Sequence, residues 1–196
     1  MSFRIILATR NPGKVDEIRT LLSDLPVEII PADELDEPLT VEEDADTLEG
    51  NAEKKARAYT ERYHLPALAD DTGLEVDALN GAPGVHTARF AGPDATATDN
   101  TQKMLAELDG VTNRSACFRT VACFVDSSGA AHPFHGVCEG HIAEEPRGKQ
   151  GFGYDPIFVP AGHDQTFAEM DANEKNAISH RKKAMEAVRT FLTSEI

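Results

Sequence analysis

The 196-residue chain predicts an α/β fold with a mixed central sheet flanked by helices. Three observations lead there. Apolar runs of strand length alternate with helically spaced stretches over the first hundred residues. Two long β-prone runs then flank an Asp-Ser-Ser-Gly turn, which is a hairpin pattern. A last amphipathic stretch starts near residue 179.

Taken in order, Phe3-Arg4-Ile5-Ile6-Leu7-Ala8 is strand-like and stops at the polar turn Thr9-Arg10-Asn11-Pro12-Gly13-Lys14. Val15, Ile18, Leu21 and Leu22 follow at helical spacing, and Val27 to Ile30 forms a short strand. The acidic, proline-containing stretch from Pro31 to Asp46 reads as loop. Asp46-Thr47-Leu48-Glu49 is a helix start, continued on one face by Leu48, Ala52, Ala56 and Tyr59. Leu65 to Ala69 is a buried strand entering the turn-like Asp70-Asp71-Thr72-Gly73, and Gly81-Ala82-Pro83-Gly84 is a turn. A helix is expected over Thr98 to Leu108, then strands over Cys117 to Val125 and Ala130 to Ile142. The glycine-rich loop Gly148 to Asp155 leads into a strand at Pro156 to Val159. Thr166-Phe167-Ala168-Glu169 has capping-box spacing for a short helix, and the last helix spans Ser179 to Leu192. No internal repeat or linker interrupts this order, so residues 1–196 read as a single domain.

Composition excludes several classes. With 40% hydrophobic residues the chain can bury a core, yet no run approaches the ~20 apolar residues of a membrane span. Lys and Arg number 19 against 34 Asp and Glu, a net charge of −15 that repels polyanions and argues against a nucleic-acid polymer as partner. The three cysteines, Cys117, Cys123 and Cys138, cannot all pair within one chain; with no secretory signal visible, a reducing cytoplasm is the expected setting.

Several groups could carry chemistry. Strand, polar turn and helix from Phe3 to Leu22 aim backbone N–H groups and Lys14 at an anion, without the Walker spacing of a P-loop. Adjacent aspartates 70 and 71 point to opposite sides if strand geometry persists, and so have different jobs. Glu42 and Glu43 could complete an oxygen donor set suited to Mg²⁺. Phe152 and Tyr154 offer aromatic faces in the glycine-rich loop. Arg181 stands at a helix N-terminus, where a cation opposes the macrodipole, so helix stability does not explain it. His132, His135 and Cys138 have metal-like spacing, but positions three apart on a strand face opposite sides.

These pieces fall in a characteristic order: Thr9-x-Asn11-x-x-Lys14, Asn51-Ala52-x-x-Lys55-Ala56, Ala69-Asp70-Asp71-Thr72-Gly73-Leu74, and Gly81-x-Pro83-Gly84-x-x-Thr87-Ala88-Arg89-Phe90-Ala91-Gly92. Gly151-Phe152-Gly153-Tyr154-Asp155-Pro156 and Ala168-Glu169 through Lys175-Asn176-x-x-Ser179-His180-Arg181 complete the order. The chain thereby resembles the inosine triphosphate pyrophosphatase family, which hydrolyses non-standard purine nucleoside triphosphates such as dITP, ITP and XTP. The resemblance implies an elongated α/β structure with a long mixed sheet, two lobes and a cleft between them, usually as a homodimer. It implies that Thr9, Arg10, Asn11, Pro12, Gly13, Lys14 and Lys55 handle the triphosphate. Asp71 would be the catalytic base and would bind Mg²⁺ with Glu42 or Glu43, and Thr72 would touch substrate. Phe152, Gly153, Tyr154, Asp155, Lys175, His180 and Arg181 would build the base pocket, Lys175 and Arg181 aiming donors at the 6-carbonyl. Thr72 and Thr87 stand where serine is more usual, and Gly50 where glutamate is frequent before Asn-Ala. Rival readings are a Maf-type pyrophosphatase acting on pyrimidine or modified nucleotides and a non-catalytic nucleotide sensor. The Phe-Gly-Tyr-Asp and Ser-His-Arg segments oppose the first, and the intact Asp70-Asp71 pair opposes the second.

Overall fold

A computed structural model describes residues 3–37 and 39–195. Pro38, within the acidic loop, and positions 1, 2 and 196 of the expected domain lie outside them. Strand β1 (Phe3–Leu7), helix α1 (Pro12–Leu21) and strand β2 (Val27–Pro31) form a parallel β-α-β unit in which Ile5 pairs with Ile29. The turn into α1 follows from capping: the Asn11 side chain accepts the Lys14 N–H, and Pro12 opens the helix where its missing N–H costs nothing. The acidic stretch contains one 3-10 turn, Ala32–Glu34. Helix α2 (Leu48–Tyr63) starts at the Thr47 cap and ends with His64 in the left-handed conformation.

Strand β3 (Ala67–Val76) differs from expectation. The chain does not turn at Asp70-Asp71-Thr72-Gly73 but continues as strand for ten residues. The reason is tertiary: ion pairs and hydrogen bonds take up both carboxylates, and the fully buried Leu74 and Val76 extend the apolar alternation. Beyond it lie β4 (Pro83–Gly84), helix α3 (Ala97–Glu107), β5 (Ser115–Val125) and β6 (Ala131–Ile142), the last two joined by the tight turn at 126–130. The strand expected at 156–159 begins as a 3-10 turn, Asp155–Ile157, and becomes β7 only at Phe158–Pro160. No helix starts at Thr166. Its N–H does bond the Glu169 carboxylate at 2.8 Å, but its hydroxyl donates to the Arg147 carbonyl and the Glu169 N–H turns to the Thr166 carbonyl, so the capping box is only half made. Helix α4 (Ala172–Ile178) begins later, behind a complete Asp171/Glu174 capping box, and α5 spans His180–Glu195.

The strand order is β2-β1-β3-β5-β6-β7, with β4 paired to β3; β1 runs parallel to β2 and β3, whereas β4 and β7 are antiparallel to their neighbours. The sheet is therefore mixed. The chain divides into two compact units. The first comprises residues 1–71, 120–136 and 181–196, and the second 72–119 and 137–180. The first packs α1 and α5 on the sheet through Ile18, Leu22, Phe124, Met185 and Val188. The second is built on Phe118, Phe158, Phe167, Met104 and Leu108, with the Phe118 and Phe158 rings 4.7 Å apart. Cys117, Cys123 and Cys138 are free thiols. Among the described residues no helix is long and apolar enough to cross a membrane.

Candidate functional site

Within the first unit, β1, α1, α2, β3 and α5 bring together charges far apart in sequence. Asp70 is 1% exposed, and its carboxylate lies 3.0 Å from the Lys14 Nζ and 3.2 Å from the Arg181 Nε. Arg181, also 1% exposed, is held in addition by Glu17 of α1. Burial alone would raise the Asp70 carboxyl; Lys14, Arg181 and Lys55 together outweigh it and keep the group ionised well below the usual carboxylate range. Burial likewise lowers the Lys14 ammonium, with Asp70 opposing and Lys55 and Arg181 adding to the effect. The cation at the head of α5 thus has its explanation: two carboxylates more than offset burial and the helix dipole.

Asp71, the next residue, looks elsewhere, as the alternation of β3 requires. Its Oδ2 accepts a 3.0 Å hydrogen bond from Asn51 Nδ2, and its Oδ1 lies 3.9 Å from Lys55 Nζ. Burial raises this carboxyl above its ordinary value; Lys55 and Lys14 pull it down, and Glu43 pushes it up again. Two adjacent aspartates are therefore poised in opposite senses, one a permanent anion and the other a carboxylate with raised proton affinity.

Lys55 donates to the Asp70 backbone carbonyl at 2.7 Å and to Glu43 Oε1 at 3.1 Å. This ties Glu43 to the ammonium beside Asp71; Glu42 and Glu43 are both exposed residues of the loop. Glu43 and Asp71 are hard oxygen donors reached by one ammonium, a set that fits Mg²⁺, which takes one or two carboxylates and completes its shell with phosphate and water. No group of three or more His, Cys, Asp or Glu suited to a metal occurs among the described residues. His132 pairs with Asp126 at 3.2 Å and His135 with Glu49 at 3.6 Å.

The turn from Thr9 to Lys14 narrows as a candidate anion site. Pro12 has no N–H and the Asn11 cap takes that of Lys14, which leaves the Gly13 amide in the first turn of α1 to point at an anion. Asn11 itself donates from its backbone to Thr9 Oγ1 at 3.3 Å, and Arg10 is exposed.

The second unit assembles the remaining residues. Lys175 Nζ lies 2.7 Å from Asp155 Oδ2 and 4.8 Å from the centre of the Phe152 ring. The same Asp155 oxygen accepts the Phe152 N–H at 2.7 Å, which requires Gly151: a Cβ there would lie 2.0 Å from that oxygen, and its φ is +73°. Tyr154 is buried and donates to the Thr87 carbonyl, while Gly153 carries a φ of +63°. His180 stacks on Phe118, ring centres 4.6 Å apart, and Thr72 is half-buried on β3. Lys175, Phe152 and Asp155 thus form one cluster. Arg181 pairs with Asp70 and Glu17 in the first unit.

Sequence reasoning passed over Asn51 and Glu17. Glu17 is three residues from Lys14 and so shares its helix face, a legible signal. Asn51 and Lys55 lie four apart beside the apolar stripe of α2 and are both buried, and a polar pair on a buried face is the trace such residues leave.

Residues 5–191 match the model of the Ham1 family. A dITP/XTP pyrophosphatase of Porphyromonas gingivalis is 51% identical over 190 residues, covering 96% of this chain and 97% of the relative. One from Coxiella burnetii is 47% identical over 193 residues, 96% of each chain. Among solved structures, a HAM1 protein from Coxiella burnetii superimposes with a TM-score of 0.89 at 46% identity, covering 98% of this chain and 99% of that one. The Staphylococcus aureus Ham1 protein gives 0.88 at 36% identity, covering 98% and 100%.

Proposed function

Because the chain belongs to the Ham1 family, we propose that it hydrolyses non-standard purine nucleoside triphosphates, dITP, ITP and XTP, to the nucleoside monophosphate and pyrophosphate. Water attacks the α-phosphorus in this reading, and the chain's task is positioning and charge stabilisation. Asp71 orients the water and takes its proton, a role suited to a buried carboxylate with raised proton affinity. That group, held by Asn51 beside Lys55, is the observation that carries the proposal. Lys14, Lys55, the Gly13 amide and the Thr9 and Asn11 side chains bind the triphosphate. Mg²⁺ held by Asp71 and Glu43 would neutralise phosphate charge and polarise the scissile bond.

On the base side, Phe152 stacks on the purine and the Lys175 ammonium donates to the 6-carbonyl, where adenine would present a donor instead. A site built round a required hydrogen bond can discriminate by about 10⁴–10⁵. His180, Tyr154 and Asp155 shape this pocket, and Thr72 contacts substrate. Arg181 acts through Asp70, keeping β3 in register with α1 and α5. We further read the chain as one functional domain working as a homodimer in the cytoplasm. Pyrophosphate release should be measured with Mg²⁺ on dITP, XTP, dATP, dGTP, dTTP and UTP. Preference for dITP and XTP is expected; binding without release, or a pyrimidine preference, overturns the reading.

A further inference from the structure

Between the acidic loop and β3 stands a side chain that the reaction above uses only to hold Asp71. Asn51 is fully buried in the first turns of α2, 0% exposed. Its Oδ1 accepts the backbone N–H of Ala45 at 2.9 Å, and its Nδ2 donates to Asp71 Oδ2 at 3.0 Å. The orientation of the amide is not arbitrary. A backbone N–H can only donate and an ionised carboxylate can only accept, so just one of the two amide flips satisfies both partners.

Ala45 lies two residues beyond Glu43, so a tie at Ala45 limits where the Glu43 carboxylate can reach. The segment is seated directly on α2: a Cβ at Gly50 would come within 2.8 Å of the Ala45 Cβ. Other ties are weaker. Lys54 and Asp44 form an exposed ion pair at 2.5 Å, and Lys55 meets Glu43, whose side chain is 41% exposed. Exposed pairs of this kind contribute about 0–1 kcal/mol. The Asn51 amide links the loop to the strand from a fully buried position.

We propose that Asn51 is a positioning residue: one side-chain amide fixes the acidic loop and Asp71 together, and so sets the spacing of the two carboxylates that bind the divalent cation. This rests on the metal role given above to Glu43 and Asp71. Gly50 belongs to the same device, since the absence of a side chain there lets the loop close onto α2.

The test uses the full chain and Mn²⁺ as the metal probe, its binding read by electron paramagnetic resonance without nucleotide, with amide hydrogen exchange followed at Ala45. Asn51→Ala removes both bonds. Its Mn²⁺ affinity should fall about 10–100-fold, the usual effect of deleting a partner that orients a metal ligand, and the Ala45 amide should lose protection. Asn51→Asp keeps the acceptor for Ala45 but sets a like charge against Asp71. It should fold with Ala45 still protected while kcat at saturating Mg²⁺ drops at least about tenfold. A merely structural asparagine predicts the reverse, wild-type turnover wherever the loop tie survives. Mn²⁺ affinity within twofold of wild type in folded Asn51→Ala, wild-type kcat in Asn51→Asp, or a wild type that binds no Mn²⁺ overturns the proposal. Failure of the functional reading looks different: pyrophosphate release would be absent from the wild type while the Mn²⁺ difference persisted.

Discussion

Replacing Asp70 and replacing Asp71 by asparagine removes the same charge from neighbouring positions on one strand, and the structure predicts opposite consequences. Asp70 neutralises two buried cations, Lys14 at 3.0 Å and Arg181 at 3.2 Å. Removing one partner of a buried ion pair costs about 3–5 kcal/mol, and because Glu17 still holds Arg181 the lower end applies, about 3 kcal/mol. For a chain of this length that lowers Tm by roughly 6–12 °C. The pH dependence has a definite sense. A carboxylate depressed in the folded state contributes stability above its unfolded pKa of about 3.9 and loses it as pH falls through the folded value. Asp70→Asn should therefore be less stable than wild type at pH 7, and the gap should close in acid. Asp71 is raised, so its ionised form is disfavoured by folding; Asp71→Asn should be as stable as wild type or more so at pH 7, yet nearly without turnover. Urea titrations in chelator at pH 7 and pH 3, with pyrophosphate release measured in parallel, decide the matter. Asp70→Asn within ~1 kcal/mol of wild type, or Asp71→Asn losing as much as Asp70→Asn, would falsify the division of labour.

Other perturbations have equally definite outcomes. Gly50→Ala should gain up to about 1 kcal/mol in helix propensity but displace Ala45, whose Cβ would be 2.8 Å from the new methyl; the expected net result is lost protection of the Ala45 amide and weaker Mn²⁺ binding. Lys175→Met leaves the buried Asp155 without its cation, so the dITP-to-dATP ratio of kcat/KM should fall and stability should drop by about 3 kcal/mol in urea titration. Burial, with Glu75 beside it, pushes the Cys117 thiol up to about 12, and burial pushes Cys123 to about 11. Both should resist iodoacetamide at pH 8.5 in the native protein and react once it is unfolded. The native state keeps these protons where the unfolded chain, near 8.5, releases them, so stability falls as pH climbs from about 8.5 towards 11–12.

What the sequence revealed, and what it hid, follows from the range of the interactions involved. The turn into the first helix is legible because its logic is local: strand, Asn cap, Pro at the first helical position, lysine two residues later. Composition through Asp70-Asp71-Thr72-Gly73 favours a turn, yet the strand runs on, and the partners that cancel the preference include a residue 111 positions away. The Thr166 segment fails in the same way. Half of its capping box forms, but the Thr166 hydroxyl goes to the Arg147 carbonyl, and the Glu169 N–H is left to the Thr166 carbonyl. Arg181 announced itself as a misplaced cation, and nothing local could name Asp70 and Glu17 as its counterweights. Between Glu42 and Glu43 no periodicity in the loop could choose; the Lys55 ammonium, 3.1 Å from Glu43, is what favours Glu43 in the metal role proposed above.

The resting site also constrains how ligands enter it. Lys14, Lys55 and Arg181 each contact a carboxylate, so none waits as an uncommitted receptor for phosphate. Lys55 is the exchangeable member, because its partner Glu43 is 41% exposed. A divalent cation drawing Glu43 and Asp71 to itself would release that ammonium to the phosphates, which couples metal and nucleotide binding through one side chain. Lys55→Met should then give a result that simple charge-counting does not. With its competitor gone, Glu43 and Asp71 should bind Mn²⁺ alone more tightly. With Glu43 41% exposed the pair is worth about 1 kcal/mol at most, so the gain should reach about fivefold. The same variant should bind dITP more weakly and show less enhancement of metal affinity by nucleotide. Calorimetric titration of Mn²⁺ with and without a non-hydrolysable dITP analogue gives both quantities. Unchanged or weaker Mn²⁺ binding in Lys55→Met, with the fold intact, would mean that the lysine supports the metal carboxylates instead of competing for them.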